Sequence, residues 1–380
     1  MNSLPIPFNR PSIGRSEYEY IKKSLDGKLC GDGSFTKEAT ILFEKATKAA
    51  GMLLTTSCTH ALELAALLCG ISSGDEVILP SYTFSSTANA FLLRGAKLVF
   101  CDIKTKTMNM DENLLPSLIT NKTKAIVPVH YAGVACEMDA INEIAKKYGL
   151  FVVEDAAQAV GSYYKDKPCG ALSDIGCYSF HETKNYCMGE GGGIIISDRK
   201  MRERAEMIRE KGTDRISFLR GEVDKYTWRE IGSSYLPSDI LAGLLCAQLT
   251  RFDEIMKKRL RIWNAYHAAF EPLEKKEWQR PFIPEKCKHN AHMYYLLSPS
   301  PGERTGLIEW LKKRGITAVS HYEPLHASPM GISLGYGIKD LPLTLDYASR
   351  LIRLPIWPEM DDESLQRVIE NVLTGVARNI

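Results

Sequence analysis

The chain has 380 residues, 44% apolar and 25% charged, which predicts a sizeable core in about two domains and excludes a disordered chain. Its 48 Lys and Arg are balanced by 46 Asp and Glu, so no single-sign field is available to hold nucleic acid or an anionic membrane. No stretch approaches the ~18 apolar residues of a membrane span, the opening MNSLPIPFNRPSIG lacks a basic-then-apolar leader, and ten cysteines occur without a CxxC pair. The expectation is a soluble, cytoplasmic protein with reduced thiols and no metal.

In chain order, TTSCTHALELAALLCG (55–70) predicts a helix opened by Ser57 or Thr59, with Leu62, Ala65, Leu68 and Cys69 turned inward. DEVILP (75–80), AKLVFCDI (96–103), KAIVPVH (124–130) and FVVED (151–155) read as strands. Between the last two, Ile141, Ile144, Ala145 and Tyr148 recur at helical spacing until Gly149, which makes a βαβ unit of a largely parallel sheet. CYSF (177–180) and GGIIIS (192–197) complete the strand series. After Pro237 one long amphipathic helix is expected, presenting Ile240, Leu241, Leu244, Leu245, Leu249, Phe252, Ile255 and Met256 on a shared face and leading out of a first domain spanning 1–248. A smaller α/β domain is expected over 249–380. It should hold a strand YYLL (294–297), a helix around Leu307, Trp310 and Leu311, and a strand ITAVSHY (316–322). A last helix, carrying Leu365, Val368, Ile369, Val372 and Leu373, is expected to stop at Gly375.

Ligands of such sheets bind beyond the carboxyl ends of the strands, so the residues there are read as a set. In SFHETKNYCMGEGGG (179–193), Lys184 comes after a strand and precedes a glycine-rich turn that allows close backbone approach; such a lysine can form a Schiff base, and can equally be a solvated loop residue. Asp155, at the end of FVVED, is placed to hold a pyridine nitrogen in its protonated form, with Gln158 one turn on near the ring hydroxyl, although an Asp there also caps helices. The helix start at Ser57 or Thr59 is a ready phosphate site, and plain capping explains the same residues. In PSYTFSSTANA (80–90), Phe84 or Tyr82 could stack on a ring. Phosphate anchor, stacking face, pyridinium partner and Schiff-base lysine thus fall at strand ends of one sheet. Tyr322 and His326, in SHYEPLHASP, come after a strand of the second domain and could face a sugar, as could His130 and Tyr131 after KAIVPV, although single aromatics and histidines are more often structural.

These residues carry a resemblance to the DegT/DnrJ/EryC1/StrS family of sugar aminotransferases. It runs through IPFNRPSIG, KLCGDGSFT, PSYTFSSTANAFLLRGAKLVF, PVHYAGVACEMDAI, FVVEDAAQ, IGCYSFHETKNY, REKGTDR, VDKYTWREIGSSYL and NAHMYY. The resemblance implies an aspartate-aminotransferase-like, fold-type I transferase that binds pyridoxal 5'-phosphate: a mostly parallel seven-stranded sheet with a smaller C-terminal domain, assembled as a homodimer with shared active sites. By the same resemblance Lys184 is the Schiff-base lysine, Asp155 pairs with the ring nitrogen, Gln158 contacts the ring hydroxyl, and Phe84 stacks on the ring. Ser179, Thr59 and the His60 backbone then hold the phosphate. Where many members have Gly-x-Asn-Tyr-Arg, this chain has Gly232-Ser233-Ser234-Tyr235-Leu236, so Ser234 stands in for an Asn lent by the neighbouring subunit. L-Glutamate is the implied donor and a dTDP-linked keto-sugar the acceptor, and the closest matches are to members forming 4-amino-4,6-dideoxygalactose. A 3-aminotransferase, a gluco-forming 4-aminotransferase and a non-catalytic regulatory protein on the same fold are the alternatives. Dehydratases of the family are set aside, because those in question carry His where this chain has Lys184.

Overall fold

The computed structural model of the protein describes residues 4–378. Its strands, in chain order, are β1 (Leu53–Thr55), β2 (Glu76–Pro80), β3 (Lys97–Cys101), β4 (Thr123–Ile126), β5 (Phe151–Asp155), β6 (Tyr163–Tyr164), β7 (Lys167–Pro168), β8 (Ile175–Ser179), β9 (Gly192–Ile196), β10 (Cys287–Lys288), β11 (Tyr294–Leu297) and β12 (Leu351–Leu354). Seven of them form one sheet in the order β1-β9-β8-β5-β4-β2-β3, in which only β9 runs against the others. β6, β7 and β10 make a small second sheet, and β11 pairs with β12 antiparallel.

The large sheet is covered on both faces, which explains why its strands are short continuous apolar runs. Alternate residues serve opposite cores. Ile78, Ile126 and Val152 pack on one side with Phe43, Leu245 and Cys246 from flanking helices. Val77, Leu79, Ala125 and Val153 pack on the other with Leu62, Leu64 and Ala65 of the helix Cys58–Leu68. Gly149, with φ of +68°, ends the helix Met138–Tyr148 as expected. KAIVPVH pairs for less than its length: β4 stops at Ile126, ahead of Pro128, and beyond it there is a single bridge from Val129 to Asp155.

Three expectations are corrected. The long helix after Pro237 is two helices, Asp239–Thr250 and Phe252–Ala269, parted at Arg251, whose backbone leaves helical geometry and whose guanidinium reaches Glu17 at 3.1 Å and Glu254 at 3.0 Å. The apolar spacing runs unbroken across the break because residues on both sides of it, Leu245 and Leu249 before and Phe252 and Ile255 after, pack into the core of the large sheet, while the rest of the second helix, with Ile262, Trp263 and Tyr266, feeds a third core around β11 and β12. ITAVSHY is extended but unladdered, with isolated bridges only, from Ile316 to Ile6 and from Val319 to Arg353, so it touches β12 at one residue pair without pairing along its length. The last helix, Asp362–Ala377, passes through Gly375. A side chain there would come within 2.8 Å of Leu307, so this glycine permits close helix packing instead of ending the helix.

The third core also takes in Ile6, whose N–H donates to Gly315 at 2.7 Å, so the N-terminal segment joins the C-terminal part of the fold. Among the described residues no helix is long and apolar enough to cross a membrane, and no group of His, Cys, Asp and Glu could hold a metal ion.

Candidate active site

A cavity of about 770 Å³ opens beyond the carboxyl ends of β2, β5 and β8, and residues of β12, of the segments 292–293 and 319–322 and of the N-terminal segment form its far wall. Lys184 lies in it, in a turn between β8 and β9 that is tightened by hydrogen bonds from Phe180 N–H to Gly191 O (2.8 Å), Met188 N–H to Phe180 O (2.8 Å) and Lys184 N–H to His181 O (2.9 Å). The glycines leave room where the expected close approach occurs. A Cβ on Gly192 would lie 2.4 Å from the Cys58 nitrogen, so the start of the helix Cys58–Leu68 seats directly on the first residue of β9. Burial is the main cause holding the Lys184 ammonium below its ordinary pKa; the nearby Cys58 and Asp155 oppose it and the positive charge of Arg353 adds to it. A lysine so placed carries a free amine more readily than a surface lysine does.

Asp155 ends β5 and is buried. Its Oδ2 accepts from Thr87 Oγ1 at 2.7 Å and its Oδ1 from Ala157 N–H at 3.1 Å, which fixes the carboxylate plane toward the cavity without a competing cation. Gln158, on the same wall, is anchored through Oε1 by Ala132 N–H (2.7 Å) and donates through Nε2 to Tyr322 Oη at 2.9 Å. The helix opens at Ser57, whose Oγ accepts from His60 N–H at 3.1 Å. The His60 backbone is therefore occupied by the cap, which leaves the Cys58 and Thr59 N–H groups as the free donors of that turn. Thr59 Oγ1 shares a hydrogen bond with Ser86 Oγ at 2.7 Å, and Ser179 borders the same corner. Phe84 stands at the mouth, 58% exposed, its ring 6.1 Å from that of Tyr322.

Thus Thr59, Phe84, Asp155, Gln158, Ser179, Lys184 and Tyr322 meet in one cavity. The other expected substrate residues do not line it. His130 is fully buried, receives Cys136 N–H at Nδ1 and pairs through Nε2 with Glu154 at 2.8 Å, which makes it a strut beneath the sheet end. His326 is fully buried between Ser81 Oγ (2.7 Å) and Ile338 O (3.1 Å). Tyr131 stands one layer back, its Oη bonded to His321 Nδ1 at 2.7 Å. Ser234 is exposed, bridged to Glu210, and away from this chain's own cavity.

The residues missed by sequence reading are those of the far wall and one on the near wall. His321 stacks on Tyr322 with ring centroids 3.7 Å apart, and burial holds its pKa well below the usual histidine range. His292, Arg353 and the N-terminal Phe8 join it. The adjacent His-Tyr pair at 321–322 is visible in the sequence, but nothing local marks Arg353. Cys58, beside Thr59, borders the cavity as a thiol pushed up by burial, hence neutral.

The donor set suits pyridoxal phosphate: an amine in a cavity, a buried carboxylate anchored opposite it, and an open helix N-terminus between them. Comparison with known proteins agrees. Residues 11–373 match the DegT/DnrJ/EryC1/StrS aminotransferase family. The spore coat polysaccharide biosynthesis protein SpsC of Bacillus subtilis is 34% identical over 375 residues, covering 97% of this chain and 96% of its own. Among solved structures, Spr1654 of Streptococcus pneumoniae in its PMP form superposes with a TM-score of 0.92 at 28% identity, covering 99% of this chain and 100% of that one. DesV of S. venezuelae, in complex with a ketimine intermediate, superposes with a TM-score of 0.90 at 28% identity, with 97% and 98% covered. The chain belongs to the DegT/DnrJ/EryC1/StrS family and is a pyridoxal-phosphate-dependent sugar aminotransferase.

Proposed function

We propose that the protein transfers the amino group of L-glutamate to C4 of dTDP-4-keto-6-deoxy-D-glucose, giving dTDP-4-amino-4,6-dideoxy-D-galactose. The observation that carries the transfer is Lys184 facing the same cavity as the anchored Asp155. Pyridoxal phosphate supplies the carbonyl that takes up the amine and the electron sink for the carbanion left when a C–H bond breaks. The rest falls to the chain. Lys184 Nζ, held below its ordinary pKa, takes the proton from the donor's α-carbon and later delivers one to sugar C4 as general base and acid. Asp155 keeps the ring nitrogen protonated, the Cys58 and Thr59 N–H groups with Ser179 take the phosphate, and Phe84 covers the ring.

The galacto assignment rests on the matching stretches GKLCGDGSFT and PVHYAGVACE. In this chain no residue of 27–36 lines the cavity, and Tyr131 acts only through His321. The loop and Ser234 are therefore assigned to the active site of a second copy in a homodimer. Exposed Leu29, Trp228 and Ile231, at 50%, 78% and 65%, support such an interface. The enzyme is taken to work in the cytoplasm.

Incubation with glutamate and a panel of dTDP- and UDP-linked keto-sugars tests the whole reading. The expected product is the dTDP-linked 4-amine with small couplings from H4 to both neighbouring ring protons; two large couplings would mean an equatorial amine and remove the galacto assignment. Lys184→Ala should lower transfer by about a thousandfold. Wild-type rates in that variant would remove Lys184 from the chemistry.

A further inference from the structure

Lys184 Nζ, inside the cavity, forms no hydrogen bond or ion pair among the described residues. Nor does Nε2 of His292, which lines the same cavity. The rest of His292 is pinned. Its N–H donates to Asn290 Oδ1 at 3.0 Å, its carbonyl accepts from Arg259 Nη2 at 2.7 Å, and its Nδ1 lies 3.2 Å from Asn185 Oδ1. Asn185, the residue after the lysine, is buried and has one orientation open to it, because its Nδ2 donates to the Asn290 carbonyl at 2.7 Å and only a donor fits there. Its oxygen therefore faces the histidine, and the imidazole proton must sit on Nδ1. Burial keeps the ring from taking a second proton, and Lys184, Arg259, His321 and Arg353 around it all act the same way, Lys184 the most strongly. Nε2 is thus left as a bare lone pair on the cavity wall.

We propose that His292 Nε2 accepts a hydrogen bond from the Lys184 amine whenever that amine is free of the cofactor, and so positions it for proton transfer. The inference rests on the aminotransferase reading and is independent of which sugar is the acceptor. The two groups do not touch in this structure; the lysine's flexible four-carbon stem gives Nζ the reach to meet the ring. Lys184 must be a neutral amine to take the proton from the donor's α-carbon, and an ammonium to deliver one to the sugar carbon. An uncharged acceptor suits both states. A carboxylate in its place would hold the lysine protonated, and an N–H at Nε2 would draw the amine's lone pair toward the ring and away from the carbon. With a bare Nε2, one amine N–H is spent on the ring and the lone pair is left for the C–H bond. When the proton moves, the bonding pair stays with the carbon, the amine becomes the ammonium, and His292 gains no proton. Its hydrogen bond strengthens because the donor is then charged. His292 is a positioning residue, its tautomer chosen by the residue that follows the lysine it serves.

The first readout needs no turnover: in wild-type apoenzyme with isotopically labelled histidine, nitrogen NMR should show the His292 proton on Nδ1 and none on Nε2. The second is the pH dependence of reconstitution with pyridoxal phosphate, which reports the lysine. His292→Asn keeps a donor for Asn185 but has no group at the position of Nε2, so the ammonium loses a partner and the midpoint should fall by about one pH unit. His292→Gln can place an amide oxygen where Nε2 was and should restore most of that shift. Cys58, Asp155 and Arg353, the other groups acting on the lysine, are the same in both variants. In the holoenzyme, kcat of the donor half-reaction should drop roughly tenfold in His292→Asn with KM for glutamate little changed, and the isotope effect with α-deuterated glutamate should rise. A merely structural role predicts the reverse ranking, with His292→Asn the milder change. A proton on Nε2 in the wild type, a wild-type midpoint and isotope effect in His292→Asn, or equal losses in the two variants would each overturn the proposal, and the first of these holds even if neither variant folds. Should the wild type turn over glutamate but no keto-sugar, the proposed acceptor fails while the tautomer, the midpoint and the donor half still decide this inference.

Discussion

At the level of single residues, the site is a set of side chains whose charges are set by burial and by anchored neighbours. Lys184 illustrates this: its amine loses a proton more easily than a free lysine because the cavity penalises the ammonium. Reconstitution of the apoenzyme with pyridoxal phosphate should therefore accelerate with rising pH through a midpoint below 10.5, the ordinary lysine value, as read by stopped-flow absorbance. Arg353→Met should move that midpoint upward, since it removes a positive neighbour. Asp155→Asn keeps the shape but not the charge, and should reduce kcat on the order of a hundredfold or more while the cofactor still binds. Lys184, Asp155 and Tyr322 are legible in the sequence because each lies at or just past the end of an apolar run that has to be a buried strand or extended segment. His130 and His326 are equally prominent there yet serve as buried struts, bonded to Glu154 and Ser81. A histidine's letter is the same whether its ring nitrogens are satisfied internally or offered to a ligand.

Among the elements, the contact between β9 and the helix Cys58–Leu68 positions the phosphate corner. Gly192→Ala would put a methyl group 2.4 Å from the Cys58 nitrogen, against backbone that cannot rotate away. We expect about 1–3 kcal/mol of destabilisation in denaturant unfolding together with weaker cofactor retention. Ser57→Ala, which only removes the N-cap, should cost about 1 kcal/mol and affect retention less. The division of the chain into two domains is proposed to fall at the Arg251 break, close to the 248/249 boundary expected from sequence, with the segment around Ile6 crossing over to the C-terminal domain. That crossover escapes sequence reading because a single parallel bridge leaves no periodicity.

For the molecule as a whole, acid should be more damaging than mild alkali. His267, His289, His292, His321 and His326 all have folded-state pKa values lowered, chiefly by burial. For His289 the value falls from 6.5 to about 4. With a lowered folded pKa, the neutral ring's contribution is present above the unfolded value near 6.5 and is lost as pH falls from there toward the folded value. His289 alone should account for on the order of 3 kcal/mol across that interval. Thermal melts from pH 7.5 down to about 4.5 should show Tm falling, most steeply below the ordinary histidine pKa; a flat profile would contradict the burial assigned to these rings. Assembly is testable on the same scale. Sedimentation should find a dimer, and Trp228→Asp, which places charge on a 78% exposed ring, should shift it toward monomer with loss of activity.

The sequence by itself determined six of the seven strands of the large sheet, all but the short β1, the mostly parallel βαβ arrangement, and the lysine and aspartate at its carboxyl ends. Burying a two-faced sheet demands continuous apolar runs, and the polar residue that ends each run must lie at the sheet's edge. Tertiary structure alone decided the far wall. Arg353, His321 and Phe8 come from chain segments remote from Lys184 and meet it only because the third core, built from both ends of the chain, packs across the cavity. The same packing decided where the helix at Arg251 breaks and why Gly375 sits within a helix, since local spacing records that a residue is buried but not against which partner.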